Sequence, residues 1–313
     1  MLLQHSANAT AGAPQAAIQR AMDAVSASFL REMVDAIAIP RHYELEPANN
    51  RLTAHWIARQ LRSYGYETDF QGEYTNVVAL AHRCATPRLP DEACVLVGAH
   101  YDSVPGCPGA DDNASAVAAM LACAKALAEH APGTPACFVS FNREEDGLLG
   151  SVDFVESVVA GKHIAVREAH ILEMVGYCDH RPASQSIPPG LPIQAPDRGD
   201  FLGILANKDS TAIASAILRT AKTYRPDVPV LSLKVYTGIE KIVPVLGRSD
   251  HAPFWKAGIP AVMWTDTSEF RNGHYHRETD TPDTLDYNFL RAVTQILVAT
   301  VLNSVEARNS ACE

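Results

Sequence analysis

The sequence predicts a single-domain α/β protein in which a mostly parallel or mixed central sheet is flanked by helices on both faces. Its 313 residues are 47% apolar but only 7% aromatic, which suits an aliphatic sheet covered by helices. Short apolar runs alternate along the chain with helical apolar periods, as is typical of strand–helix–strand units. A chain of this length can bury a large core as one domain. We therefore expect a single domain over residues 1–313.

Helices are predicted where apolar residues recur every three or four positions. The first covers 15–38 and ends before Pro40, so residues 1–40 form an N-terminal helical extension. The second covers 50–64 and ends at Gly65. Further helices are expected at four places along the chain: 114–130, 151–160, 210–224 and 287–306.

Strands are predicted where short runs of β-branched and aliphatic residues fall between these helices. Five such runs are present: Asn76–Leu80, Cys94–Ala99, Ala136–Phe141, Ala169–Leu172 and Pro260–Trp264. The segment 179–200 carries five prolines and fits neither pattern. The segment is longer than a simple connection between two elements needs to be, so we expect an active-site loop there.

Composition excludes several classes of function. The net charge is −10, from 26 basic and 36 acidic residues, which argues against a nucleic-acid partner because binding to phosphates needs clustered Lys and Arg. No run approaches the ~20 apolar residues of a membrane helix, so no membrane partner is expected. No signal peptide is visible, which favours a cytoplasmic protein, or a secreted one if a leader has been removed. The seven cysteines lack the spacing of a disulfide framework. The oligomeric state is left open.

Polar residues gather where the predicted strands end. Ligands of parallel α/β sheets bind at the carboxyl ends of the strands, so these residues are candidates for a common site. They are His100 and Asp102, the pair Asp111 and Asp112, the pair Glu144 and Glu145, Glu173, and the downstream His274 and His276. Each motif alone has an ordinary structural explanation, such as a helix cap or a solvated surface pair. Their joint occurrence favours a functional site.

A metal centre would explain this combination. Neighbouring carboxylates without a cation repel one another and raise one another's pKa values. Imidazole nitrogens with carboxylate oxygens form a ligand set that suits zinc. Three carboxylates around two divalent ions leave a net charge of +1, which a hydroxide can neutralise. The residues therefore predict two Zn²⁺ ions, although another divalent transition ion could serve.

The motifs resemble those of peptidase family M28, which includes bacterial leucyl aminopeptidases and glutamate carboxypeptidase and is related to the glutaminyl cyclases. The matching stretches span about 75–285. They are Gly-Ala-His100-Tyr-Asp102-Ser, Gly-Ala-Asp-Asp112-Asn-Ala-Ser, Glu144-Glu145-Asp-Gly-Leu-Leu-Gly-Ser, Leu-Glu173-Met-Val-Gly-Tyr and Tyr275-His276-Arg-Glu-Thr-Asp-Thr. The resemblance implies a zinc-exopeptidase fold over most of the predicted sheet.

The resemblance also implies a role for each residue. The metal ligands would be His100, Asp112, Glu145, Glu173 and His276, with Asp112 bridging the two ions. Asp112 is selected over its neighbour because Ser115 follows it by three residues, and His276 is selected because Asp-Thr follows it by four. Glu144 would be the general base, Asp102 would orient His100, and Tyr275 is a candidate donor to an oxyanion. A cis peptide bond is expected after Asp112.

Three departures from the family pattern are visible. Glu173 stands where the best-known aminopeptidases have Asp, and Ala116 replaces a common Gly. The segment Ser249–Phe254 resembles glutaminyl cyclases, and a helix cap with a packing role is an equal alternative.

The function expected from these motifs is a di-zinc aminopeptidase. It would remove the N-terminal residue of a peptide with a free N-terminus, using a metal-held water that Glu144 activates. The alternatives are a glutaminyl-peptide cyclotransferase on the same fold and a non-catalytic, receptor-like binding domain. Retention of the whole ligand set argues against the last. The preferred N-terminal residue is left open.

Overall fold

The structure is a computed structural model that describes residues 1–81, 93–236 and 243–309. Cys84 and Cys312, two of the seven cysteines, lie outside the described residues. Cys107, Cys123, Cys137 and Cys178 are free thiols.

The described strands form one mixed sheet. They are β1 (Leu2–His5), β2 (Glu67–Gln71), β3 (Asn76–Leu80), β4 (Cys94–His100), β5 (Ala136–Phe141), β6 (Val166–Glu173), β7 (Leu202–Ala206), β8 (Val230–Lys234) and β9 (Ala261–Thr265). Their order across the sheet is β1-β8-β7-β9-β6-β4-β5-β3-β2. The four central strands β5, β4, β6 and β9 run parallel, as do β7 and β8. The remaining pairings are antiparallel. The predicted α/β class is confirmed, and the parallel strands form the centre of the sheet.

Helices cover both faces of this sheet. They are α1 (Ala16–Asp23), α2 (Ala27–Ile37), α3 (Pro47–Ser63), α4 (Ala116–His130), α5 (Leu149–Asp153), α6 (Thr211–Tyr224), α7 (His251–Lys256) and α8 (Tyr287–Asn309). The single helix predicted over 15–38 is wrong, because the chain breaks between α1 and α2. Ser26 accepts a hydrogen bond from the Phe29 N–H at 3.1 Å and thereby caps a new helix. The helix predicted over 151–160 begins earlier, in α5, and continues as wider turns over Phe154–Val159.

The sequence analysis missed four strands, namely β1, β2, β7 and β8. β1 and β2 are short edge strands with alternating exposed residues, so their apolar signal is weak. The segment 179–200 is irregular apart from a single bridge between Asp179 and Gly199, as expected for a loop.

Alternating side chains of the central strands fill two apolar layers. Val95 and Val97 of β4 face the larger layer with α4 and α8, whereas Leu96 faces Phe141, Phe154 and the α7 side. α8 has the length and hydropathy of a membrane span over 287–306, but 72% of that window is buried inside the fold. We therefore assign α8 as a helix of the protein core.

Candidate active site

Three overlapping groups of potential metal ligands lie at the carboxyl end of the central strands. One consists of His100, Glu144 and Glu145, and the two considered first both contain Asp112. In the first group, His100 Nε2 lies 3.3 Å from Asp112 Oδ1 and 3.5 Å from Glu173 Oε1. In the second, His276 Nε2 lies 3.1 Å from Asp112 Oδ2 and 3.2 Å from Glu145 Oε2. Asp112 thus turns one carboxylate oxygen toward each group. All five residues that the sequence suggested as ligands are brought together.

His100 is the last residue of β4, and Asp102 follows two residues later at the same edge. Asp102 Oδ1 lies 3.4 Å from His100 Nδ1, on the side of the ring that faces away from Asp112. The Asp102 carboxylate also accepts the backbone N–H groups of Glu144 at 3.3 Å and Glu145 at 3.2 Å. One buried carboxylate therefore positions the first histidine and the turn that carries both glutamates.

Asp112 sits in an irregular turn, Ala110–Ser115, between β4 and α4. The peptide bond that follows it, to Asn113, is cis, as expected from the family resemblance. Asp280 accepts the backbone N–H groups of Asp111 at 2.9 Å and Asp112 at 3.1 Å, so the segment after His276 holds this turn.

The same turn is tied to the end of β6 by Asn113. Its side chain donates to the Leu172 carbonyl at 3.0 Å and accepts from the Met174 N–H at 2.9 Å. These two residues flank Glu173. Asp112 and Glu173 are therefore held in register by one amide side chain.

Ser249 donates a 2.6 Å hydrogen bond to Glu173 Oε2, which is a contact that sequence analysis did not predict. His251 points elsewhere, with its Nε2 3.0 Å from the Leu246 carbonyl, and burial lowers its pKa to about 4. The segment Ser249–Phe254 thus contributes through Ser249, while His251 has a packing role.

Tyr275 and His276 lie at the mouth of the site. Their rings stack with centroids 3.7 Å apart. The Tyr275 hydroxyl accepts a 2.9 Å hydrogen bond from Arg248, which is also paired with Glu269. His274, the alternative histidine in the sequence, instead contacts Thr279 at 3.0 Å and is outside both groups.

The electrostatics of the site fit a bound cation. Burial is the main cause that raises the pKa of Glu144 well above its usual range and that of Glu145 to about 7. Burial opposes the charged form of His276, but hydrogen bonds to Asp112 and Glu145 outweigh it and raise its pKa to about 10. Among the described residues, Asp112 Oδ1 and Glu145 Oε1 are buried oxygens without a hydrogen-bond donor. Crowded carboxylates with free oxygens and two imidazoles are a donor set that Zn²⁺ would satisfy.

A cavity of about 580 Å³ opens beside these groups. Glu144, Glu145 and Tyr275 stand at its polar end. Its walls are mainly aliphatic and come from strands β7, β8 and β9 and from the segment 185–195. The wall residues include Leu205, Leu231, Leu233, Met263, Ile187, Leu191 and Ile193. Part of the predicted active-site loop therefore lines the cavity.

Sequence reasoning missed Arg248, Ser249 and Asn113 as residues of the site. Arg248 carries no motif of its own, and Ser249 begins the segment Ser249–Phe254, whose role the sequence left open. The place of both residues depends on a long-range contact between α7 and the end of β6. Asn113 lies inside a recognised motif, and its position beside a bridging carboxylate was the available signal.

Fold and site together define an α/β protein with a cluster of histidine and carboxylate side chains, suited to holding metal, at the ends of its parallel strands. The model of peptidase family M28 matches residues 76–301, and the chain belongs to this family.

Sequence comparison adds two bacterial relatives. The chain is 33% identical to the Escherichia coli protein YfbL over 244 residues, which cover 74% of this chain and 72% of YfbL. It is 29% identical to aminopeptidase YwaD of Bacillus subtilis over 216 residues, covering 68% of this chain but only 41% of that longer protein.

Solved structures share the fold. The LapA aminopeptidase of Legionella pneumophila has a TM-score of 0.70 at 17% identity, over 91% of this chain and 73% of LapA. A zinc aminopeptidase of Bacillus subtilis gives 0.54 at 25% identity, over 73% of this chain and 49% of that one. The glutaminyl cyclase of Porphyromonas gingivalis gives 0.63 at 22% identity, over 90% and 99%.

Proposed function

We propose that this protein is a zinc aminopeptidase with two ions that share Asp112. The observation that carries the proposal is the position of Asp112, with one oxygen toward His100 and the other toward His276. Family membership and the aminopeptidase relatives support the activity. The first ion would be held by His100, Asp112 and Glu173, and the second by His276, Asp112 and Glu145.

When bound, zinc would supply Lewis acidity that polarises a substrate carbonyl and makes water more acidic. Glu144 would accept the proton of the attacking water and return it to the leaving amine. Its carboxylate is buried beside the ligands, with Oε2 3.9 Å from His100 Nε2, and so is within reach of both groups. Tyr275 would donate its hydroxyl proton to the developing oxyanion, since Arg248 occupies a lone pair of the same oxygen.

The cavity supports a preference for an apolar N-terminal residue. Arg248 and Glu269 also line the cavity, but against its aliphatic walls a charged side chain would lose hydration without gaining a partner. We therefore propose that leucyl and similar substrates are hydrolysed faster than lysyl or glutamyl ones. A free amino group would lie at the polar end, near Glu144 and Glu145.

Glutaminyl cyclisation is the second candidate. The shared fold with the Porphyromonas gingivalis enzyme and the motif Ser249–Phe254 favour it. Three donors would suffice for a single-ion site, namely Asp112, Glu145 and His276. The contact of His100 with both Asp112 and Glu173 instead favours a second ion and hydrolysis.

Metal analysis combined with two substrates tests the choice. We expect about two zinc ions per chain and release of free leucine from a leucyl arylamide. The same sample should release free glutamine, and not pyroglutamate, from a glutaminyl peptide. One ion with pyroglutamate as product would establish the cyclase instead, and two ions without turnover of either substrate would contradict both activities.

A further inference from the structure

We propose that Cys178, His180 and Asp286 form a second metal site, which binds a divalent transition-metal ion and shares no residue with the candidate active site. One ligand atom from each residue lies within 4.8 Å of the others. Cys178 Sγ and His180 Nε2 are 3.6 Å apart. The other clusters of potential ligands among the described residues consist of histidines and carboxylates, whereas this cluster contains a thiol.

The spacing of the sulfur and the nitrogen fits tetrahedral coordination. Zinc binds a cysteine sulfur at ~2.3 Å and a histidine nitrogen at ~2.0–2.1 Å, so a tetrahedral angle separates the two ligand atoms by about 3.6 Å. The separation observed between Cys178 and His180 is 3.6 Å. An ion could therefore bind both atoms without moving either residue.

The backbone holds these two side chains on the same side. Asp179, between them, donates its N–H to the Gly199 carbonyl at 2.8 Å in the single bridge of this loop. Side chains alternate along extended backbone, so Cys178 and His180 share a face. The bridge also brings Asp200 next to His180.

Asp200 orients the imidazole. Its Oδ2 lies 3.4 Å from His180 Nδ1, so the proton belongs on Nδ1 and the Nε2 lone pair faces the sulfur. A carboxylate on the far nitrogen is the usual partner of a metal-binding histidine. His180 is 71% exposed, which gives an ion access from solvent and leaves room for a water ligand.

Asp286 supplies the third ligand from a fixed position at the start of α8. One of its oxygens, Oδ1, accepts the N–H groups of Asn288 at 2.9 Å and Phe289 at 3.0 Å. Its own N–H donates to the Gly176 carbonyl at 2.9 Å, which ties the helix to the segment that carries Cys178. The other carboxylate oxygen is available to an ion.

The donor set defines the class of ligand. Thiolate, imidazole and carboxylate together suit Zn²⁺ or Co²⁺ better than Mg²⁺ or Ca²⁺. Burial raises the pKa of the Cys178 thiol to about 12, so the thiol keeps its proton when no ion is bound. Binding therefore forms a metal–sulfur bond, breaks the S–H bond and releases one proton to solvent.

Titration of the metal-free, full-length protein with Co²⁺ tests the site. A thiolate ligand gives an intense sulfur-to-cobalt charge-transfer absorption, and the candidate active site contains no cysteine that could produce it. We expect this band to appear and to saturate at an amplitude that corresponds to one thiolate-bound Co²⁺ per chain. Cys178→Ser should abolish it and remove one bound ion, whereas Cys123→Ala, at a buried thiol in α4, should keep it.

Two further variants separate a ligand from its supporting carboxylate. Asp286→Asn keeps an oxygen for the helix cap but loses the charge, and should weaken Co²⁺ binding. Asp200→Asn should weaken it by about 10–100-fold, the effect usual for a partner of a metal-binding histidine. A saturating titration without the band, or a band that survives Cys178→Ser, would overturn the proposal. Neither readout depends on hydrolytic activity.

Discussion

Glu144 and Glu145 are adjacent in the chain but face different partners. Glu145 Oε2 lies 3.2 Å from His276 Nε2, inside the second ligand group, while Glu144 lies between the groups. We expect Glu144→Gln to keep zinc and fold while kcat falls by roughly 10²–10⁴, since only the proton acceptor is lost. Glu145→Gln should lose zinc as well as activity. Zinc stoichiometry and turnover measured on both variants test this assignment. If Glu144→Gln lost zinc and Glu145→Gln kept both ions, the two roles would be reversed.

Arg248 and Tyr275 form a linked pair at the mouth of the site. If Tyr275 donates to the oxyanion, Tyr275→Phe should lower kcat by about 10²–10³, as for other single donors of this kind. Arg248→Ala should lower kcat less, because it acts only by fixing the direction of the hydroxyl. In the Tyr275→Phe background, Arg248→Ala should then have little further effect on kcat. Additive losses in this double-mutant cycle would show that Arg248 acts independently.

At the scale of residues, short motifs at the ends of strands predicted which polar side chains the structure brings together. His100, Asp112 and Glu145 could be found because each follows a strand and has few alternative explanations in combination. Arg248 and the contact of Ser249 with Glu173 were not predicted, since the contacts of these residues to Tyr275 and Glu173 cross from one element to another. Their roles depend on where α7 packs, which no local pattern encodes.

The turn between β4 and α4 positions Asp112, and the geometry of this turn depends on Gly109. Gly109 has φ +59°, and a Cβ there would lie 2.3 Å from the Asp112 carbonyl oxygen. Gly106, in the same loop, has φ +73° but open space around it. These two glycines therefore differ in crowding while sharing a left-handed conformation.

We expect Gly106→Ala to cost ~1–2 kcal/mol, the usual penalty of a left-handed residue with a side chain. Gly109→Ala should cost more and should also reduce zinc affinity, since the Asp112 backbone must move. Denaturant unfolding with and without zinc measures both effects. Equal losses of stability for the two variants, with unchanged zinc binding, would show that the turn does not position Asp112.

Elements were predictable where apolar periodicity is strong and long. α4 and the central strands β4 and β5 were located within a few residues, because both strands are buried throughout and α4 is buried over most of its length. The break between α1 and α2 was missed because the apolar period continues across it, and only the Ser26 cap marks the change. β7 and β8 were missed although both lie in the sheet, and their absence from the prediction also hid the cavity that they line.

At the scale of the whole molecule, the order of strands sets the site. β9, near the end of the chain, lies between β6 and β7, an arrangement that sequence patterns do not indicate. This order brings together the ends of β4 and β6 and the segment after β9 that carries Tyr275 and His276. The result is a dense group of buried carboxylates in a protein whose net charge is already −10.

These buried groups make the stability of the metal-free protein depend on pH. Burial raises the pKa of Glu145 from its ordinary 4.5 to about 7, and those of Asp250 and Asp280 from 3.8 to about 7. The folded state then binds more protons than the unfolded chain between those values, so stability falls as pH rises across this window. The pKa of His276 is raised from 6.5 to about 10 in the folded state. Its contribution to the stability of the folded protein is therefore also lost as pH rises, in this case through the pKa of about 10.

The metal-free protein should therefore become less stable between pH 5 and pH 8, by up to roughly 1.4 kcal/mol per buried carboxylate and pH unit within the window. Zinc binds the deprotonated carboxylates and neutral imidazoles of the folded state, so its stabilising effect should grow over the same range. Thermal unfolding of chelator-treated and zinc-loaded samples at each pH measures both trends. Their two melting temperatures should diverge as pH rises. Parallel curves, or a metal-free protein that is most stable at pH 8, would mean that these carboxylates are not coupled to the ions.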